Sequence, residues 1–404
     1  MSRAFISICI IVISLNVSSQ DVAQWRGPDR NGIYNESGLF NKWPDSGPEL
    51  LWHFDELGDG HSSAAVTSKG VFTTGMINGT GYVFAFNLKG KLLWKKEYST
   101  EWAESHNGVR STPLVVNGKL YLLSSYGKLF CMNCSDGKTL WTIDLVKQYG
   151  AKNITWGFTE NLLFDGNILY CTPGGDLASL VALDINTGKE IWKSKGNDEK
   201  SAYCSPVVVK LQGKKLIVTI MQYSIVGFDA ATGKQLWKSE FKMDPDVHPN
   251  SPLYIDGYLF CTSGYGLGSV MLKLAPDGNS VSEVWKNATC DPKMGGVVVL
   301  DGRIYGTGDR NRKFFCLDWK TGKEIYSIRD LAPANIIANK GLLYVYSESG
   351  KISLVDPKTD GFNIISSFPV PFGTNTHWAH TVIKDKRLYV RHGSSLMVYN
   401  IAEK

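Results

Sequence analysis

One unit of about 45 residues recurs along this chain and closes each time on an aromatic residue after a Gly-Lys turn. It reads Phe86-Asn-Leu-Lys-Gly-Lys-Leu-Leu-Trp94, Ser135-Asp-Gly-Lys-Thr-Leu-Trp141, Leu183-Asp-Ile-Asn-Thr-Gly-Lys-Glu-Ile-Trp192 and Phe228-Asp-Ala-Ala-Thr-Gly-Lys-Gln-Leu-Trp237. A looser copy ends at Trp285, Leu317-Asp-Trp-Lys-Thr-Gly-Lys-Glu-Ile-Tyr326 follows, and a degenerate copy ends near Phe368. From Trp94 on, successive aromatics are 41 to 51 residues apart. Each unit opens on a short apolar run, often after Ser-Pro or Thr-Pro. It then turns at Asn117-Gly118, Asp165-Gly166, Asp256-Gly257 or Asp301-Gly302. Such pairs are tight hairpin turns, because glycine takes positive φ without steric cost. Four short strands in about 45 residues make one propeller blade.

The ends of the chain fix the count. The last unit, from His377 to Asn400, has three strands, and an orphan fourth strand, Glu49-Leu-Leu-Trp52-His-Phe, lies one period before Trp94. The expected fold is therefore all-β: an eight-bladed β-propeller of four-stranded blades, its ring closed by the N-terminal strand completing the last blade. Closure removes the sheet edges that an open repeat would present to other chains. Counting Trp52, Trp94, Trp141, Trp192, Trp237, Trp285, Tyr326 and Phe368 gives the eight blades. A large aromatic at a fixed strand position in each blade is expected to pack blade against blade.

Composition agrees with one large ordered domain. Of 404 residues, 20% are charged and 12% aromatic, the wrong balance for disorder. The net charge of +5 is spread along the chain with no basic run, so nucleic-acid binding is not expected. At the N-terminus, Arg3 precedes a mostly apolar stretch from Ala4 to Val17, with small residues at Val17-Ser18-Ser19. Residues 1–19 read as a secretory signal peptide cut near Ser19–Gln20, too short an apolar run to span a bilayer. Residues 20–48 read as an ordered arm packed on the propeller, with Trp25, Tyr34, Phe40 and Trp43 covering a face, and residues 49–404 as the propeller. The mature chain is thus expected to be exported, periplasmic or extracellular, with no transmembrane segment.

The Asp-x-x-Thr-Gly-Lys-x-(Leu/Ile)-Trp motif resembles the blade signature of the pyrroloquinoline-quinone (PQQ)-like repeat family of eight-bladed propellers, over residues 49 to 404. The stretch Gln24-Trp-Arg-Gly-Pro-Asp-Arg-Asn-Gly32 resembles the lead-in of an exported bacterial subgroup of that family. The resemblance implies one of two roles. One is a quinone-dependent alcohol or sugar dehydrogenase; the other is a non-catalytic scaffold such as the lipoprotein of the outer-membrane barrel-assembly machinery. The dehydrogenases typically carry two adjacent cysteines over the cofactor and a Glu, Asn and Asp around calcium. This chain has no Cys-Cys pair and no evident Asp-rich loop. No cofactor is expected; PQQ with calcium is the alternative, and catalytic activity is not expected.

Seven cysteines follow the signal, an odd number. Cys131 aligns with Ala182, Gly227 and Cys316, so it fills a slot for small buried residues. Cys131-Met-Asn-Cys134 leaves a local disulfide as the alternative. The candidate site is one rim of the ring, where first strands begin and the turns between second and third strands lie. Aligning units by their hairpin glycine puts His61, His248 and His377 in one slot, with Arg110 and Glu160 just after it and His106 just before. Trp378 and His380 belong to the same edge. The inter-strand turns add Tyr265, Asp309, Arg310, Glu348, Arg391 and His392. Together these residues are expected to form a polar channel mouth that binds a cell-envelope protein or a saccharide-type ligand; the alternative is a solvated mouth without a ligand. No metal site is expected, because His248 would lie far round the ring from His61 and His377.

Overall fold

A computed structural model describes residues 21–244, 247–294 and 296–403; the signal peptide expected over residues 1–19 lies outside them. Eight sheets, each built on four antiparallel strands, follow one another around a ring. Blades 1 to 7 take residues 65–100, 114–144, 163–193, 207–240, 253–287, 298–328 and 334–369. Blade 8 combines three strands of residues 382–400 with Glu49–Phe54, which pairs antiparallel with Ser395–Asn400 and sets Trp52 opposite Val398. The chain is thus an all-β eight-bladed propeller; one short helix, Leu145–Tyr149, links blades 2 and 3. At the Asn117-Gly118 turn φ is 50° and 78°, and at Asp256-Gly257 it is 48° and 86°. Both residues of each pair have the positive φ of tight hairpin turns.

The motif turns build the contact between blades. Asp184 accepts hydrogen bonds from Thr187 N and Thr187 Oγ1, both 2.8 Å, which close the turn and bring Gly188 to φ 70°. A Cβ on Gly188 would lie 2.9 Å from the Trp141 ring of the preceding blade. The same relation holds for Gly90 under Trp52, Gly137 under Trp94, Gly233 under Trp192 and Gly322 under Trp285. The indole N–H then donates to a carbonyl of that neighbouring turn: Trp94 to Cys134 O (3.0 Å), Trp141 to Asn186 O (3.1 Å), Trp192 to Ala230 O and Trp285 to Trp319 O (both 3.2 Å). Tyr326 does so through its hydroxyl, 2.6 Å from Lys358 O. The repeated glycine is therefore required twice, for positive φ and for room under the indole.

Two blades depart from this pattern. In blade 4 the residue opposite Trp237 is Gly227, and the indole folds back over it: a Cβ there would lie 2.2 Å from the ring. In blade 7 the slot before the strand irregularity holds Ser366, paired with Leu354 as Tyr326 is paired with Cys316. Phe368, the aromatic that marks this unit in sequence, lies two residues further along. The missing indole comes from the N-terminal arm: Trp43, 1% exposed, has its edge 5.1 Å from Phe368 and 5.8 Å from Tyr344 between ring centroids, and its backbone N–H donates to Ser366 Oγ at 3.0 Å.

The first part of the arm crosses the channel. Val22–Ala23 adds to the innermost strand of blade 2, and Ile33–Tyr34 adds in parallel to the innermost strand of blade 7. Between them Arg26 donates to Val297 O of blade 6 at 2.6 Å, and Arg30 to Leu162 O (2.9 Å) and Asn161 O (2.8 Å) of blade 3. Inner strands have one unpaired edge, and their buried carbonyls need donors; the arm's backbone and guanidinium groups supply them. Burial lowers both arginines to about 10, so both stay charged at neutral pH. All seven described cysteines are unpaired, and six of them are buried.

Candidate functional site at the channel mouth

Because the arm closes the channel from below, its upper end becomes a blind cup of about 390 Å³. Trp25 of the arm lines it, 8% exposed, with its ring edge against His380 at 5.2 Å. The walls come from the starts of every blade but the seventh: His61, His106, Arg110, Trp156, Tyr203, Pro249, Lys293, Met294 and Trp378, with Tyr265 from a turn between strands. Most of these follow one rule. Arg110, Pro249 and Met294 precede the glycine of their hairpin turn by eight positions, as Trp378 precedes Lys386, His61 and Lys293 precede theirs by nine, and Trp156 and Tyr203 by ten.

The wall rings touch in a chain. Centroids are 5.0 Å apart for His61–Trp378, 5.6 Å for His106–Trp378, 5.5 Å for His106–Trp156 and 5.8 Å for Trp156–Tyr203. Arg110 is fixed by donating to Trp156 O at 2.6 Å and to His106 O. Across the mouth Lys293 pairs with Asp309 at 3.0 Å and approaches Glu348 at 4.0 Å, and Glu348 accepts the Trp378 indole N–H at 3.1 Å. Burial, then the charges of Arg110 and Arg391, push His61 down to about 3, so it is neutral at physiological pH. Its Nδ1 is buried and has no hydrogen-bond partner among the described residues.

The structure thus gathers His61, His106, Arg110, Tyr265, Trp378 and His380 around one cavity. Asp309 and Glu348 stand behind its wall through Lys293. The other predicted residues lie elsewhere. His248 is fully buried, its Nδ1 3.0 Å from Ser263 Oγ and its Nε2 3.1 Å from Gln222 O. Glu160 is buried under the rim, where it accepts the Thr172 N–H at 2.9 Å; burial raises it to about 8 despite that bond and the nearby Arg30. Arg391 is 1% exposed and binds oxygens of Ser62, Thr73, Thr74 and Gly393. His377 stacks on His392 at 3.6 Å and meets the Tyr346 hydroxyl at 2.6 Å, outside the cup. Burial and His392 lower His377 to about 4.

Sequence reasoning missed Trp25, Trp156, Tyr203, Lys293 and Met294. For Lys293 the signal was present: it precedes Gly302 by the nine residues that separate His61 from Gly70. Among the described residues, no group of three or more His, Cys, Asp or Glu is placed to hold a metal ion.

Residues 79–325 match the family model PQQ_2, described as outer membrane protein assembly factor BamB. The chain belongs to this family. Outer membrane protein assembly factor BamB of Kangiella koreensis is 34% identical over 140 residues, 33% of this chain and 32% of that protein. Quinoprotein alcohol dehydrogenase PedH of Pseudomonas putida is 30% identical over 131 residues, 31% of this chain and 22% of that protein. These matches span a third or less of the relatives' own length. Among solved structures, BamB from Moraxella catarrhalis superposes with a TM-score of 0.60 at 14% identity, covering 85% of this chain and 95% of that one. A europium-containing methanol dehydrogenase gives a TM-score of 0.65 at 14% identity, covering 92% and 90%. At such identity these structures share the fold alone.

Proposed function

We propose that this chain is an exported, non-catalytic propeller of the cell envelope, a binding or scaffolding module. Its channel-mouth cup receives a saccharide-type ligand or a group of a partner protein. The observation that carries this reading is the cup itself: closed below by Trp25, walled by aromatic rings, and furnished with fixed polar groups. A concave, largely apolar site with a few convergent polar groups is the usual form of a small-ligand site. The BamB relative, whose printed name is that of an assembly factor, supports an envelope role.

The quinoprotein relatives make a PQQ-dependent oxidoreductase the second reading. The residues present do not fit that cofactor. Calcium needs several converging oxygen ligands, and the described lining of the cup contains no Asp or Glu. The test is to add PQQ and calcium to the purified protein and follow dye reduction with alcohols and sugars. No turnover is expected, and robust turnover would overturn the non-catalytic reading. Export is checked by fractionating producing cells and weighing the product, whose mass should begin near Gln20; an intact residue 1 in the cytoplasm would contradict it.

A further inference from the structure

We propose that the cup binds the terminal ring of an acidic saccharide, its carboxylate against Arg110 and its ring faces against Trp156 and Trp378. The proposal rests on the binding reading above and names the ligand class for the same cavity.

The shape of the cup selects the body of the ligand. Its rings lie at 41° to 89° to one another, presenting faces from several directions. Such an arrangement suits the C–H faces of a puckered ring, whose hydroxyls can meet the polar side chains that line the cup. The volume of about 390 Å³ has room for one or two sugar rings, at the low end of ordinary ligand pockets. The floor decides how the ligand enters. With Trp25 below, a glycan cannot thread the channel, so only the end of a chain, or a free sugar, reaches the bottom.

Charge selects the acidic form. Arg110 is held by two backbone carbonyls, at Trp156 and His106, and ion-pairs with no carboxylate among the described residues. Its guanidinium keeps N–H groups for a ligand oxygen, a charge-assisted bond of the strong kind. Under the same wall, Arg391 is fully buried with Nη2 unsatisfied, and its named partners are hydroxyl and carbonyl oxygens. Glu101 near Arg110 and Asp59 near Arg391 lie behind the wall and do not line the cup, which leaves Arg110 as the charge that faces a ligand on the His61 side. The opposite side does not add to it, since Lys293 is matched there by Asp309 and Glu348. That side offers hydrogen bonds, and the carboxylate is assigned to Arg110.

Titration of the full chain, read by tryptophan fluorescence and calorimetry, tests this with glucuronate, glucose, a linear triuronate and benzoate. Glucuronate should bind at least tenfold more tightly than glucose or benzoate. Arg110→Gln should erase the preference for the acid, and Arg110→Lys should restore part of it. Trp378→Ala, with an unchanged melting temperature, should weaken both sugars tenfold or more. A triuronate tighter than glucuronate identifies a glycan end as the source; equal affinity identifies a free sugar acid. Benzoate binding as tightly as glucuronate, no uronate binding at tens of millimolar, or an acid preference that survives Arg110→Gln would overturn the proposal. Those outcomes leave the non-catalytic reading standing, which falls only to quinone-dependent turnover.

Discussion

At the outer rim the same contact is made again and again, whereas at the channel mouth every blade that lines the cup contributes something different. The outer strands of blades 1, 2, 3 and 5 each lay an indole on the next blade's turn glycine and donate its N–H to that turn. At the mouth, positions eight to ten residues before the hairpin turn carry His61, Arg110, Trp156, Tyr203, Lys293 and Trp378 in turn. Repetition therefore marks the positions that hold the ring together. Variation at an equivalent position marks those free to carry chemistry, because the strands supporting them are already fixed.

The largest test of this division is Trp43→Ala. It removes a buried indole that blade 7 lacks in its own strand, and should cost about 3–5 kcal/mol in denaturant unfolding. Trp94→Ala removes a half-exposed ring and one hydrogen bond and should cost about 1–3 kcal/mol. A larger loss for Trp94 would mean that blade 7 does not depend on the arm. Next is a pair of glycines with similar φ. Gly137→Ala, at φ 69°, drives a methyl to 2.9 Å from the Trp94 ring, while Gly118→Ala, at φ 78°, meets nothing within 4 Å. The first should lose about 2–4 kcal/mol and the second about 1 kcal/mol, from backbone strain alone. Equal losses would show that the indole contact adds nothing to the cost of the turn.

A smaller effect is expected under the mouth. Burial raises Glu160 from its ordinary 4.5 to about 8, so between those values the folded protein holds a proton that the unfolded chain has released. Stability should then fall as pH rises through that window. Glu160→Gln cannot titrate, so its melting temperature relative to the parent should climb between about pH 5 and pH 8; a constant difference would place the ionised carboxylate in the fold. The smallest effect is expected on the outer strand itself. Leu93, next to Trp94 in the chain, is 54% exposed, and Leu93→Ser should change stability by no more than about 0.5 kcal/mol.

The same division explains what was legible in the sequence. Turn pairs, the Asp-x-x-Thr-Gly-Lys motif and the orphan strand at Trp52 are local chemistry repeated in register, so blade number, strand order and closure could all be read. The mouth could be read only where a side chain advertised itself: His61, His106, Arg110, Trp378 and His380 were found, while Lys293 was passed over in the histidine slot. His248 occupies that slot too, but its first strand turns the imidazole into the core to bond Ser263 and Gln222. Trp25 and Trp43 were unreadable for another reason. They lie outside the repeat, and only the three-dimensional path of the arm brings one into the channel and the other into blade 7.

The borrowed indole of blade 7 also imposes an order of events on the making of this protein. Tyr34 pairs beside Asn339, Trp43 waits for Phe368, and Trp52 finds its place only opposite Val398. Residues synthesised first thus have their native partners among those synthesised last, and such long-range closures are slow to form. Until Phe368 exists the growing chain has an uncovered Trp43, and until Ser395–Asn400 exists it has a gap where the eighth blade should close. A helper that shields aromatic segments during synthesis would have its natural target in residues 22–54.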